Sequence, residues 1–268
     1  MKTRAITGIF FVAVMLASVL LGAYAFTVFV YFLSVLSVQE FYRLISTESV
    51  KPQKGLGIAL TMSIYLPMSM YYLKGESLIY LLISVPVIIS IIIAELYRKK
   101  ANPFHNISYT LFGVIYAALP FCFFYSLAFT DGSYSGNYPL GFLILLWTYD
   151  TGAYLIGIKF GKHKLFEKHS PKKTWEGFFG GMIFSIAAAF ILGLYFKELD
   201  TIHWVVISII IVIGGTYGDL SESMLKRNLS AKDSGRLLPG HGGILDRFDG
   251  LLLAAPLVFV YLRLINFL

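Results

Sequence analysis

Charged residues are scarce in this sequence of 268 residues: they make up 14% of the chain, whereas soluble globular proteins contain roughly 25%. So little charge argues against a soluble enzyme, because a water-exposed surface of ordinary size needs more charged side chains. Hydrophobic residues make up 57% of the chain, which also excludes a disordered protein. The composition therefore predicts an integral membrane protein.

The sequence has only one cysteine, Cys122, which lies in an apolar run. A single thiol cannot form an intrachain disulfide or a multi-cysteine metal site, so we interpret Cys122 as a packing residue. The sequence also lacks internal repeats, low-complexity tracts and glycine–serine linkers. A single membrane domain over residues 1–268 is the simplest organisation.

Uncharged runs define the expected helices, because a helix needs about 20 apolar residues to span a bilayer core of roughly 30 Å. The first run, residues 5–39, is too long for one helix, and we interpret it as two short spans that meet near Gly22. Together with the later runs it predicts an all-α polytopic membrane protein with about nine transmembrane helices. The later spans are expected at residues 55–73, 77–94, 107–129, 139–158, 177–196, 201–218 and 250–262.

Lys and Arg are unevenly distributed between the loops. With these spans, all of the 22 Lys and Arg residues fall on one side of the membrane except Lys74, Lys197 and Arg263. The positive-inside rule then places the N-terminus and the charged loops in the cytoplasm and the C-terminus outside, across the inner or plasma membrane if the source is bacterial. The net charge of +7 requires no nucleic-acid partner, because anionic lipid headgroups account for it.

Charge is concentrated in two segments, residues 159–176 and 219–249, both expected to be cytoplasmic loops. Chemistry that needs polar groups is therefore expected there. We interpret residues 136–268 as the catalytic half. Residues 1–135 are interpreted as mainly scaffold spans, in which no chemistry is recognised.

Three acids, Asp219, Asp246 and Asp249, are expected to converge at one membrane edge. Asp219 closes the eighth helix, while Asp246 and Asp249 are three residues apart at the start of the ninth and so share a face. Carboxylate oxygens are ligands of hard divalent cations, which favours an Mg²⁺ site. The alternative is that acids at a helix start only cap the helix.

A glycine-rich turn precedes the ninth helix and contains Gly240, His241, Gly242 and Gly243. Free backbone N–H groups ahead of a helix can face an anion, so the turn predicts phosphate binding, although an ordinary loop has a similar composition. Basic residues of the same loop could hold phosphate oxygens or simply follow the positive-inside rule. They are Lys226, Arg227, Lys232 and Arg236.

Asp150 lies inside the sixth span, where a carboxylate is costly unless it is paired, protonated or beside water. With Trp147, Thr151 and Tyr154 it forms a polar stripe at helical spacing. The stripe is expected to face the interior of the helix bundle. A structural hydrogen bond from Asp150 to a neighbouring Tyr or Ser is the alternative.

Two lysines, Lys172 and Lys173, lie beside a proline just ahead of the seventh span. They could meet a triphosphate or a lipid phosphate. We interpret Trp175, which follows them, as an anchor at the membrane interface. The lysines are therefore further candidate contacts for a phosphorylated substrate.

These segments resemble those of a known family. Residues 223–249 resemble the signature of phosphatidate cytidylyltransferases, also called CDP-diacylglycerol synthases, and residues 150–154 and 170–177 resemble two further family segments. The resemblance implies transfer of the cytidylyl group of CTP to phosphatidic acid, with release of pyrophosphate, and it implies a homodimer. Because this reaction brings two anions together, it calls for metal ions held by carboxylates: Mg²⁺, with a second cation left open.

On this hypothesis the two charged segments and Asp150 form one site. Asp150 is assigned to the polar cavity that the lipid headgroup enters. The catalytic candidates are Asp150, Asp219, Lys226, Arg227, Lys232 and Asp246. The candidates for binding CTP are Lys172, Lys173, Ser223, Gly240, His241, Gly242 and Gly243, and the metal ligands are Asp219, Asp246 and Asp249.

Two other functions stay open on sequence grounds. A CTP-dependent kinase acting on a polyprenol-type alcohol would use similar groups but transfer the γ-phosphoryl group, with His241 or Asp150 as a base. A non-enzymatic transporter would use Asp150 and Asp219 as coupling sites inside the membrane. Against a transporter, the acids gather at one membrane face and no inverted repeat is visible.

Overall fold

The structure is a computed structural model that describes residues 2–235, 237 and 242–266. Three residues named above, Arg236, Gly240 and His241, lie outside the described residues. The described chain is almost entirely helical. Its helices are α1 (Lys2–Leu20), α2 (Ala23–Ile45), α3 (Lys54–Lys74), α4 (Ser84–Arg98), α5 (Pro103–Gly113), α6 (Leu119–Leu127), α7 (Asn137–Phe160), α8 (Trp175–Tyr195), α9 (Thr201–Asn228) and α10 (Leu245–Ile265).

Two shorter helical segments adjoin these helices. A 3₁₀ turn, Leu78–Ile83, leads into α4, and a π-helical turn, Val114–Ala118, joins α5 to α6. In the described part of the chain, eight helical segments are long and apolar enough to cross a membrane, and α1 adds a shorter apolar stretch, Thr7–Leu20. The prediction of an all-α polytopic membrane protein with about nine helices is confirmed.

The break between α1 and α2 lies at Gly22, as predicted. Gly22 has φ +98° and ψ −176°, a conformation that side chains other than glycine rarely adopt. The long apolar run is therefore divided by a local backbone requirement.

The eighth and ninth spans are longer than predicted. Helix α9 continues past residue 218 to Asn228, and α10 begins at Leu245 rather than at residue 250. The prediction that Lys226 and Arg227 lie in a loop is therefore wrong. They occupy the last turn of α9, where cations favour the carboxyl end of the helix dipole.

The charged segment between α7 and α8 contains a small antiparallel sheet that the sequence analysis did not predict. Strand β1 (Lys164–Phe166) pairs with β2 (Ser170–Thr174). The Gly177 N–H then donates to Thr174 Oγ1 at 3.2 Å, which caps the start of α8. The strand and the cap hold Lys173 immediately ahead of α8.

The described residues form two compact units. Unit 1 comprises the described residues of Met1–Tyr125, Asp131–Tyr134 and Ala231–Arg247, and unit 2 comprises those of Ser126–Thr130, Ser135–Ser230 and Phe248–Leu268. Each has its own buried apolar side chains. The single membrane domain, with a scaffold half and a catalytic half, stays a prediction.

Unit 1 packs around buried aromatic side chains. Tyr42 of α2 is fully buried, and its hydroxyl donates to the Thr110 carbonyl oxygen at 2.5 Å. Gly57 and Gly113 lie against its ring, and a Cβ at either position would collide with it. Tyr42 thus joins α2 to α3 and α5.

A buried polar cluster joins the ends of α3, α4 and α5 in unit 1. Glu95 is 5% exposed. Its carboxylate accepts hydrogen bonds from Gln53 Nε2, Arg98 Nη1 and Asn106 Nδ2, each at 2.7 Å. Because these donors use both carboxylate oxygens, Glu95 has a structural role.

In unit 2, α7 and α8 pack closely because glycines line their contact. Gly180 lies against the Ile156 side chain. A Cβ at Gly181 would come within 2.7 Å of both a ring atom and the carbonyl oxygen of Tyr149. Gly152 of α7 is also buried in this contact.

The polar stripe on α7 does not face the interior, so that prediction is wrong. Tyr154 is 67% exposed, and Asp150 and Thr151 are exposed as well. Trp147 and Thr151 instead line a surface groove of about 280 Å³. Phe184 of α8, which packs on Gly152, lines the same groove, so the stripe lies along the outer edge of the contact between α7 and α8.

Candidate active site

Glycines bring α9 and α10 together in unit 2 where each helix carries an acid. Gly218 lies so close to the Asp249 carbonyl oxygen that a Cβ there would collide with it. Gly215 and Gly250 face each other in the same contact. Since Asp219 follows Gly218 directly, this close approach places Asp219 near Asp249.

Asp150, Asp219 and Asp249 form an acidic cluster in unit 2, contributed by α7, α9 and α10. The three carboxylates are close enough to act on one another's charge. Crowding of like charges in membrane-spanning helices is costly, and a bound cation offsets it. The acidic cluster therefore has the electrostatics of a cation-binding site.

Lys173 supplies positive charge to the acidic cluster. Its Nζ lies 2.6 Å from Asp219 Oδ2, and the two side chains are 25% and 33% exposed. The lysine also acts on the charges of Asp150 and Asp249. Ser223 Oγ donates to the second Asp219 oxygen, Oδ1, at 3.2 Å. Asp219 is thus contacted on both oxygens while its side chain stays accessible.

A buried pair of hydroxyls joins α7 to α9 beside the acidic cluster. Tyr149 OH lies 2.5 Å from Thr216 Oγ1, and Thr216 Oγ1 donates to the Val212 carbonyl oxygen at 2.7 Å. Because the Thr216 proton goes to that carbonyl, Tyr149 is the donor of the pair. This bond holds the helix of Asp150 against the helix of Asp219.

The donor chemistry of the acidic cluster suits a hard divalent cation. Among the described residues, however, no three His, Cys, Asp or Glu side chains are placed to hold one metal ion by themselves. Mg²⁺ usually binds one or two carboxylates and completes its shell with water and substrate phosphates. The cluster therefore fits a cation that binds together with a phosphate ligand.

Asp246, which was predicted as a metal ligand, belongs to unit 1 and lies in the first turn of α10. Its Oδ2 accepts hydrogen bonds from Ser234 N at 2.9 Å and from Gly243 N at 2.8 Å, and Ser234 Oγ lies 2.9 Å from the same oxygen. Gly242 has φ +84°, and a Cβ there would lie 2.5 Å from the same oxygen. These contacts agree with the capping alternative, and the metal-binding role of Asp246 stays a prediction.

Glu40 of α2 is a buried acid that the sequence analysis missed. It is 6% exposed and accepts hydrogen bonds from Ser234 Oγ and from the backbone N–H groups of Ile244 and Leu245. The predicted span ended at residue 39 and put Glu40 outside the helix, whereas α2 continues to Ile45. An acid within a membrane helix is a candidate site residue by default. Glu40 directly follows an uncharged run, and this position in the sequence marks it as such a candidate.

The predicted phosphate-binding bases differ in their surroundings. Lys226 Nζ lies 2.5 Å from Glu222 Oε2, and the Glu222 side chain is 1% exposed. Lys172, Arg227 and Lys232 are exposed. Their contacts with phosphate stay predictions.

Comparison with known proteins places the chain in a family. The model of the family described as "Cytidylyltransferase family" matches residues 2–265. The phosphatidate cytidylyltransferase of Bacillus subtilis (strain 168) is 31% identical over 267 residues, which cover 99% of each chain. Those of Staphylococcus haemolyticus (strain JCSC1435) and Staphylococcus aureus (strain COL) are 34% and 32% identical over 271 residues, covering 98% of this chain and 99% of theirs. This chain therefore belongs to the cytidylyltransferase family.

Proposed function

We propose that this protein transfers the cytidylyl group of CTP to phosphatidic acid, which forms CDP-diacylglycerol and pyrophosphate for phospholipid synthesis. The observation that carries this proposal is the similarity, over almost the whole chain, to relatives named phosphatidate cytidylyltransferase. A chain with many membrane-spanning helices suits a substrate that stays in the bilayer.

In the proposed reaction a phosphate oxygen of phosphatidic acid attacks the α-phosphorus of CTP. A bond forms between these two atoms, and the bond from the α-phosphorus to the oxygen that bridges it to the β-phosphorus breaks, so that pyrophosphate leaves. The attacking oxygen is already anionic near neutral pH, and a strong general base is not needed. The protein must instead bring two anions together and offset charge on the leaving group.

The acidic cluster and Lys173 supply the two kinds of charge that this task requires. The proposed Mg²⁺ ligands are Asp219 and Asp249 of the acidic cluster together with Asp246 of the first turn of α10, and a second cation is left open. When bound, the metal would neutralise phosphate charge. Lys173, 2.6 Å from Asp219 and partly exposed, is placed to contact a phosphate beside that carboxylate. Asp150, exposed on α7, is proposed to meet the lipid headgroup.

The proposed contacts to CTP come from three parts of the sequence: β2, the last turns of α9 with the residues that follow it, and the glycine-rich segment ahead of α10. Lys226 is a candidate for the leaving pyrophosphate because it lies in the last turn of α9, where Glu222 holds its ammonium group. The full proposed set is Lys172, Lys173, Ser223, Lys226, Arg227, Lys232, Gly240, His241, Gly242 and Gly243.

We also propose an orientation and an assembly state. The uneven distribution of Lys and Arg supports an N-terminus and two charged segments in the cytoplasm and a C-terminus outside, across the inner or plasma membrane if the source is bacterial. This orientation would expose the CTP contacts to the cytoplasm. The family resemblance supports a homodimer, which chemical crosslinking in the membrane would test.

The reaction is tested with CTP labelled at either the α or the γ phosphorus. Purified protein is incubated with Mg²⁺ and micelles that contain phosphatidic acid, and label is counted in the lipid phase. We expect α label in the lipid and release of pyrophosphate. If α label stays in the water phase, the proposal fails. Transfer of γ label to added polyprenol would then indicate a lipid kinase.

The metal requirement is tested in the same assay. Removal of divalent cations with EDTA should abolish label transfer, and added Mg²⁺ should restore it. Full activity in excess EDTA would contradict the metal part of the proposal and leave the reaction itself standing.

A further inference from the structure

Glu40 is a buried carboxylate of unit 1 that the proposed reaction does not use. Its Oε2 accepts the Ile244 N–H at 2.9 Å, and its Oε1 accepts the Leu245 N–H at 3.0 Å. These amides lie at the N-terminus of α10, where backbone N–H groups have no partner within the helix. A carboxylate from α2 thus caps the helix that carries Asp246.

Two glycines make room for the Glu40 carboxylate. A Cβ on Gly243 would collide with both of its oxygens, and a Cβ on Gly235 would lie 2.5 Å from Oε2. No side chain fits at either position without moving Glu40. The backbone at residues 235 and 243 is therefore packed directly on the carboxylate.

Ser234 links Glu40 to Asp246. The Ser234 hydroxyl oxygen lies 2.5 Å from Glu40 Oε1 and 2.9 Å from Asp246 Oδ2. The N–H groups of Ser234 and Gly243 donate to the same Asp246 oxygen at 2.9 and 2.8 Å. All three of these contacts to Asp246 Oδ2 come from residues that touch Glu40.

We propose that Glu40 is a positioning residue that sets the orientation of the Asp246 carboxylate by holding Ser234, Gly243 and the first turn of α10. Glu40 acts through these neighbours and touches no substrate. The inference rests on the proposed function for its kinetic readout, but its structural readout does not depend on turnover.

The principal test is Glu40→Gln, which keeps the size of the side chain and removes one acceptor. The new NH₂ group must face the N–H of either Ile244 or Leu245, so one of these amides loses its partner. Loss of a group that orients a metal ligand typically lowers activity or metal affinity by about 10- to 100-fold, and we expect kcat to fall within that range. The Mg²⁺ concentration for half-maximal activity should rise, while the KM for phosphatidic acid stays unchanged.

Glu40→Asp keeps both carboxylate oxygens on a side chain one methylene shorter. It should recover part of the kcat that Glu40→Gln loses. Ser234→Ala removes the hydroxyl link, together with its contact to the Asp246 N–H, and leaves both amide contacts to Glu40. It should shift the Mg²⁺ requirement in the same direction while leaving α10 capped.

Hydrogen exchange measured by mass spectrometry provides the readout without turnover. The Ile244 and Leu245 amides should exchange faster in Glu40→Gln than in the wild type and at the wild-type rate in Ser234→Ala. In a second measurement, the thermal unfolding midpoint in detergent is followed against Mg²⁺ concentration. Both variants should need more Mg²⁺ than the wild type for the same rise in midpoint.

Glu95→Gln is the matched control, because Glu95 is another buried acid of unit 1 with three hydrogen-bond donors. It should lower stability without changing the Mg²⁺ requirement. The inference is overturned if Glu40→Gln keeps the wild-type kcat and Mg²⁺ requirement, or if Glu95→Gln shifts them equally. If the wild type itself transfers no cytidylyl label, the proposed function fails, while hydrogen exchange and Mg²⁺-dependent unfolding still decide the role of Glu40.

Discussion

The buried acids of unit 1 and the acidic cluster of unit 2 differ in what surrounds their charge. In unit 1, Glu40 and Glu95 each use both carboxylate oxygens on hydrogen-bond donors. In unit 2, Asp219 pairs with Lys173, the charges of Asp150, Asp219 and Asp249 act on one another, and all three carboxylates keep part of their surface accessible. Carboxylate side chains are thus used in two opposite ways.

This difference separates structural acids from functional ones. A buried carboxylate with all its hydrogen bonds made stabilises the fold, and removal of its charge leaves donors unpaired. Accessible carboxylates that repel one another contribute little to the stability of the fold, and they are typical of sites that bind a charged ligand. Glu40 and Glu95 therefore fix helix ends, whereas the arrangement of the acidic cluster suits the binding of a charged ligand.

Asp219→Asn should have the largest effect on activity. Removal of a group that stabilises charge in a transition state typically lowers kcat by about 100- to 1,000-fold, and we expect a loss of this size in the label-transfer assay. Stability in detergent should be unchanged or higher, because one of three crowded charges is gone. Glu198→Gln, at an exposed acid that pairs with Asn137, is the control and should keep wild-type activity. Retention of turnover by Asp219→Asn would contradict the role of the acidic cluster.

Lys173→Met should have the next largest effect. A hydrogen bond to a charged group is worth about 1.5–3 kcal/mol, so loss of the ammonium should lower kcat by roughly 10- to 100-fold. Lys173→Arg keeps the charge and should recover part of it. Lys168→Met, at an exposed lysine between β1 and β2, is the matched control. If the Lys168 and Lys173 variants lose activity equally, general surface charge rather than the contact with Asp219 is responsible.

Glu95→Gln tests the opposite side of the comparison. Replacement of one oxygen by an NH₂ group leaves at least one donor of Gln53, Arg98 or Asn106 unpaired, so stability should fall by about 1–3 kcal/mol. The thermal unfolding midpoint in detergent measures this loss, and kcat at a temperature where the variant stays folded should be unchanged. A lower kcat without a stability loss would break the division between structural and functional acids.

Gly181→Ala should have the smallest effect. It changes the packing of α8 against α7, the helix that carries Asp150 of the acidic cluster. The new Cβ would lie within 2.7 Å of Tyr149, and the cost of overpacking should exceed the gain in helix propensity, for a net loss of about 1 kcal/mol. Gly55→Ala is the control, since a Cβ there meets no atom within 4 Å and should raise stability slightly. An unchanged unfolding midpoint in Gly181→Ala would show that α7 and α8 tolerate a wider separation.

Most of the helices could be predicted because a membrane-spanning helix requires an apolar run of about 20 residues, which is visible in the sequence. The break at Gly22 was predicted from length alone, and the structure supplies its backbone cause. The prediction ended α9 too early and began α10 too late, because both helices extend beyond their apolar runs into charged residues. For the same reason Glu40, one residue past an uncharged run, was missed.

The sequence by itself determined that the chain is a helical membrane protein, where most spans lie and which family it belongs to, because these depend on composition and on residues close together in the chain. Only the tertiary structure decided that Lys173 pairs with Asp219, that Glu40 caps α10 and that the polar stripe of α7 is exposed. These contacts join residues far apart in sequence. Such contacts depend on which helix faces lie close together. In unit 2, glycines at the helix contacts allow the close approach. The hydropathy of the sequence does not indicate which helix faces meet.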